Sequence, residues 1–221
     1  MPRSASSTES DERDAVSHPT RRYPTRPDTT ASRDAIIAAA TKNFQNRGYH
    51  GTSIRDIARD ADMTAASIYH HFPSKQHILQ YLMESALKTV ISRTQSALIN
   101  AGQSPVEQLE AVVRAWVQFH ACNTAEALIS STEIRSLDAV GHRLVISLRD
   151  QQQQLFRDII HRGVTDGVFT TVYPVEASRA IINMGVAISS WYRPNGSLTP
   201  DDIAERYVSI ALGAVGVRAE V

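Results

Sequence analysis

The stretch TAASIYHHF, residues 64–72, packs small residues, ring residues and hydrogen-bond donors into a short span. Ala65 and Ala66 would let a helix backbone come close to another surface, and an alanine methyl can meet the methyl of a thymine. Tyr69, His70 and His71 can donate to phosphate oxygens, contacts that position a protein without reading sequence. Lys75 would sit in the first turn of the next helix, where backbone N–H groups also favour a phosphate. The adjacent histidines raise the question of a metal. Neighbouring helical residues point about 100° apart, so His70 and His71 cannot chelate one ion well. No metal and no cofactor is expected.

A second group of chemically capable residues lies in the middle of the chain. Trp116, Phe119, His120, Arg135, Arg143, Arg149 and Phe156 put rings and cations on amphipathic helical stretches. Such a mixture suits a pocket for a small molecule with an apolar body and an anionic end, because arginine offers bidentate donors. Each arginine alone also fits a surface salt bridge, and His120 fits a hydrogen-bonded core position. Nothing resembles a nucleophile elbow, a phosphate-cradling glycine loop, a zinc spacing or a Cys–His pair. The chain is expected not to be an enzyme.

These residues need elements to hold them, and the periodicity is helical almost throughout. The 221 residues, 42% of them apolar, can bury a sizeable core. Basic and acidic residues balance at 23 each, so any nucleic-acid partner must be met by a local patch. The single thiol, Cys122, suits a reducing cytosol. With no long apolar run, a cytoplasmic protein without membrane contact is expected.

Residues 1–30 are polar and proline-rich, which predicts a disordered arm. Its basic part, with Arg21, Arg22, Arg26 and Arg33, could touch DNA phosphates or a minor groove. Three helices then read over residues 31–77. Gly48 stops the first, Ser53 and Asp56 form a capping box on the second, and Thr64 caps the third. Ile68 and Phe72 anchor that third helix, leaving its other side free. This is a helix-turn-helix unit, whose last helix enters a major groove. A larger helical body follows over 78–221, with breaks placing helices near 105–122, 123–139, 141–164, 174–193 and 199–217. Gly185 and Gly213 fall inside the last two. Glycine within a helix costs about 1 kcal/mol against alanine, so close helix packing is expected there, as in a two-fold four-helix contact.

Residues 33–83 resemble the DNA-binding region of the TetR family. The resemblance rests on the phenylalanine and glycine closing the first helix, the TSIRDIA segment, the small-residue third helix and the closing YHHF and SK. It implies an all-α fold with an N-terminal helix-turn-helix domain and a larger ligand-binding and dimerisation domain. It also implies a homodimeric repressor on a double-stranded DNA operator, released by a small-molecule effector. By this resemblance Arg55 reads a base and Ser53 contacts phosphate. Thr64, Ala65, Ala66 and Ser67 form the leading edge of the recognition helix, while Tyr69, His70 and Lys75 contact the backbone. One departure is Asp62, where the family's turn commonly has glycine. Residues around WYRPNGSLT are similar to regulators of fatty-acid and steroid catabolism, several of which sense acyl-CoA thioesters. An acyl-CoA effector is the expectation that follows.

Overall fold

The computed structural model describes residues 29–217. Those residues form nine α-helices and no strand, with one isolated bridge between Phe169 and Val217. The helices are α1 (Thr29–Arg47), α2 (Ile54–Asp60), α3 (Ala65–His71), α4 (Lys75–Asn100), α5 (Pro105–Cys122), α6 (Thr124–Thr132), α7 (Ala139–Thr165), α8 (Pro174–Trp191) and α9 (Pro200–Val215). A 3₁₀ turn, Ile134–Ser136, follows α6. The arm expected over residues 1–30 lies outside the described residues, except that Thr29 and Thr30 open α1.

The capping residues act as their types dictate. Ser53 and Asp56 close a capping box on α2, and the Thr64 and Ser74 hydroxyls accept from Ser67 N and His77 N. The turn between α2 and α3 is a Schellman motif: Met63 N donates to Ala58 O at 2.9 Å and Asp62 N to Arg59 O at 3.3 Å. Asp62 occupies the left-handed position with φ 55°. A short polar side chain tolerates that region better than most, so the turn forms without glycine.

Two apolar cores share α4. Ile78, Leu79, Leu82 and Met83 pack with Ile36, Phe44, Ile57, Ile68 and Phe72 of the first three helices. Further along, Ala86 and Val90 belong to a second core with α5, α7, α8 and α9. The sequence boundary at residue 78 therefore falls inside one continuous 26-residue helix.

Two segments differ from the sequence expectation. The helix expected over 123–139 breaks at Glu133 into the 3₁₀ turn. Gly141 does not separate helices but sits in the first turn of α7, because Asp138 caps that helix by accepting from Val140 N and Gly141 N. The absent side chain at Gly141 lets Gln80 of α4 approach; a Cβ there would meet Gln80 Oε1 at 3.3 Å.

Candidate DNA-reading face and effector cavity

In α3 the buried residue is Ile68, and Phe72 closes the helix from beneath. Thr64, Ala66, Tyr69 and His70 are exposed, while Ala65 and Ser67 are half-buried. Ile68 and Phe72, four residues apart, therefore anchor one face, and Thr64, Ala66, Tyr69 and His70 lie on the free one. Arg55 is exposed on α2 and makes no ion pair among the described residues, whereas Arg47 and Arg59 both engage Asp56. Its guanidinium is thus free for an external acceptor. The Ser53 hydroxyl donates to Asp56 Oδ2 at 2.6 Å while accepting from Asp56 N. These bonds, with Arg59 beside them, hold the Asp56 carboxyl down to about 2.

Lys75, read from sequence as a backbone-contacting residue, is engaged within the unit. Its Nζ donates to Tyr49 O at 2.8 Å and Thr52 O at 2.6 Å, and lies 4.1 Å from the Tyr49 ring centroid. Burial lowers its pKa. The ammonium fastens the chain after α1 to the start of α4. Arg33 also differs from its reading as part of a free arm. It lies in α1 with its guanidinium 4.8 Å from the Phe72 ring and 4.4 Å from that of Tyr81, a stack that joins α1 to α3 and α4.

A cavity of about 360 Å³ opens between α4, α5, α6, α7 and α8. That lies within the usual range for ligand pockets. Of the pocket residues expected from sequence, Trp116, Phe119, His120 and Arg149 line it. Arg135 instead sits exposed on the 3₁₀ turn and Arg143 exposed near the start of α7. The helical period explains the second case: Arg143 and Arg149 are six steps of about 100° apart, so both cannot face one cavity. Phe156 does not line the cavity either. It is fully buried behind Trp116, ring edge to ring face at 5.8 Å.

Sequence reasoning passed over Ser130, Gln152, Arg179 and Asn183, which also line the cavity. The signal was present as spacing. Gln152 lies three residues beyond Arg149, and Arg179, Asn183 and Val186 share one face of α8. Gly185 also belongs here, not to a contact between chains. A Cβ on it would lie 2.2 Å from Trp116 Nε1, which donates to Ile182 O at 3.2 Å. The glycine is the seat of the indole. Gly213 differs, with open space where its Cβ would be. α9 likewise splits its apolar residues: Ile203 and Ala211 are buried, whereas Ile210 and Ala214 are exposed.

The cavity's electrostatics favour an anion at its edge. Arg149 and Arg179 have no carboxylate partner among the described residues. Burial lowers the pKa of Arg149, whose guanidinium donates to Ser130 O. Burial pushes His120 down to about 4, so its ring is neutral near pH 7. Its Nδ1 lies 2.8 Å from Trp116 O.

The cavity wall also reaches the DNA-reading unit. One turn beyond Ser130 and Ser131, the 3₁₀ turn meets Gln76 of α4: its Nε2 donates to Ser136 O and its Oε1 accepts from Asp138 N at 3.2 Å. Ser136 Oγ lies 3.2 Å from His50 Nε2, just after α1. The segment that follows α6 is thus bonded to the loop after α1 and to the head of α4.

Comparisons with known proteins agree with this architecture. Residues 36–82 match the model of bacterial regulatory proteins of the tetR family, and residues 102–215 match the tetracyclin repressor-like C-terminal domain. The HTH-type transcriptional repressor KstR2 of Mycolicibacterium smegmatis is 29% identical over 195 residues, 87% of this chain and 95% of that protein. A bacterial regulatory protein in the tetR family from Rhodococcus RHA1 superposes with a TM-score of 0.80 at 30% identity, covering 85% of this chain and 98% of the other. AibR in complex with isovaleryl coenzyme A and operator DNA gives a TM-score of 0.74 at 24% identity, covering 81% and 97%, and shares the fold. The chain belongs to the TetR family of bacterial regulatory proteins.

Proposed function

We propose that this protein is a dimeric transcriptional repressor that holds a palindromic operator and leaves it when an acyl-CoA thioester enters the cavity. The observation that carries the effector assignment is the pair Arg149 and Arg179, unneutralised beside a wall of Val90, Trp116 and Phe119. An apolar acyl group suits the wall, and coenzyme A phosphates suit the guanidinium forks. The relative KstR2 is a repressor, and the AibR complex holds both isovaleryl coenzyme A and operator DNA. The first supports repression and the second a thioester ligand, while release from DNA rests on the titration below.

On DNA, Ala65, Ala66, Thr64 and Ser67 lead α3 into the major groove. Ser53, Tyr69 and His70 contact the backbone, and Arg55 reads a base. Arg55→Ala is expected to weaken operator binding by about 1–3 kcal/mol and relax discrimination at one base pair per half-site. Competition between operator and single-base variants measures this. Equal losses on operator and random DNA would remove Arg55 from the base-reading set.

The release mechanism needs an effector that prefers a different spacing of the two α3 helices, transmitted through α6 and Gln76. A coupling of about 1–3 kcal/mol would weaken DNA binding about 5- to 150-fold. The test titrates acyl-CoAs, free acids and uncharged aromatics against the protein–operator complex. Release by free acids or aromatics with no response to any thioester would reject the acyl-CoA assignment.

A further inference from the structure

The cavity wall contains two buried polar groups that the protein leaves unmatched. Ser130 is 8% exposed and Gln152 2% exposed, and both line the cavity. Neither the Ser130 hydroxyl nor the Gln152 side-chain nitrogen has a hydrogen-bond partner. Nearby polar groups are already engaged: Trp116 Nε1 with Ile182 O, His120 Nδ1 with Trp116 O, and Arg149 with Ser130 O. Arg149 and Gln152 are neighbours on one face of α7. The bond from Arg149 to Ser130 O therefore ties both unmatched groups to one end of the cavity.

The amide of Gln152 is fixed from behind. Its Oε1 lies 3.0 Å from the Thr94 hydroxyl, which is also 3.0 Å from the carbonyls of Val90 and Ile91. Thr94 has one proton to give. If a carbonyl takes it, the amide turns over, its NH₂ donates to Thr94, and its oxygen becomes the unmatched atom. Either orientation leaves Gln152 with one polar atom unanswered, as Ser130 leaves its hydroxyl.

We infer that Ser130 and Gln152 form a subsite for an oxygen substituent, a hydroxyl or keto oxygen, on the acyl group of the effector. The inference rests on the acyl-thioester reading of the cavity. A hydroxyl gives and takes hydrogen bonds and so meets the amide in either orientation. A keto oxygen meets the NH₂ and the serine hydroxyl as donors. An unsubstituted alkyl chain would leave both groups unmatched, as they are in the empty cavity.

The test uses calorimetric titration of the full chain with octanoyl-CoA, its terminally hydroxylated analogue and its keto analogue. At least one oxygenated thioester is expected to bind about 5- to 150-fold more tightly than octanoyl-CoA, the cost of leaving a buried polar group unmet. Ser130→Ala, and separately Gln152→Met, which keeps the side-chain volume, are each expected to bring that ratio towards one. Circular dichroism on heating identifies any variant that fails to fold. Equal affinities for the three thioesters would overturn the subsite and leave the thioester reading standing, as would a ratio that neither variant changes. The matching free acids run in parallel. Discrimination among them with no thioester bound would overturn the thioester reading and keep the subsite, while binding of no compound would overturn both.

Discussion

Ile210→Asp is expected to leave the chain folded but monomeric, and unable to hold its operator at nanomolar concentration. Ile210 is 54% exposed, beside the half-buried Tyr207 and the exposed Gly213 and Ala214. Trp191 of α8 stacks on Tyr207 with ring centroids 6.4 Å apart, extending the apolar face. In a monomer an aspartate there stays in water and costs little. On the proposed two-fold contact the substitution enters twice, because the same patch serves both subunits. An uncompensated buried charge costs about 3–5 kcal/mol, so two cost about 6–10 kcal/mol, or about 2×10⁴- to 2×10⁷-fold in the dimerisation constant. A lone subunit then grips one half-site. Sedimentation velocity reads the association state, and an operator gel shift reads the affinity. A dimeric variant with native operator affinity would move the contact to another face.

Phe156→Ala is expected to cost about 3–5 kcal/mol of stability, the range for removing a buried aromatic ring. The ring is completely buried in the core of the larger unit and supports Trp116 edge-on. Its loss would open a void behind the indole and slacken the cavity wall indirectly. Urea unfolding gives the stability change. If the residue faced the cavity as its position in the sequence suggests, effector affinity would fall while stability changed far less.

Local chemistry made most of the reading head legible. Ser53, Thr64 and Ser74 cap their helices through side chains only three residues from the N–H groups they satisfy. Ile68 and Phe72, four apart, could only anchor one face of so short a helix. Several placements that sequence did not foretell involve partners distant along the chain. Lys75 turns inward because carbonyls of Tyr49 and Thr52 await it, more than twenty residues away. Arg33 leaves its arm because Phe72 and Tyr81 flank it. Gly185 shows its purpose only when Trp116, on another helix, comes into view. Among the middle arginines, Arg135, Arg143 and Arg149 are alike in composition. Helical phase and the break at Glu133 separate them, and the second depends on tertiary packing.

The two tryptophans stand in environments that light distinguishes. Trp116 is enclosed, with the His120 ring 4.3 Å away and the effector cavity on its flank. Trp191 is 44% exposed at the end of α8, on the face proposed to pair with a second copy. An indole in an apolar enclosure emits at shorter wavelength than one in water. Effector entry should therefore act on the blue part of the emission spectrum, and dilution through subunit dissociation on the red part. If the proposed function holds, the unlabelled protein carries separate optical reporters for effector binding and subunit pairing, distinguishable by colour in a single cuvette.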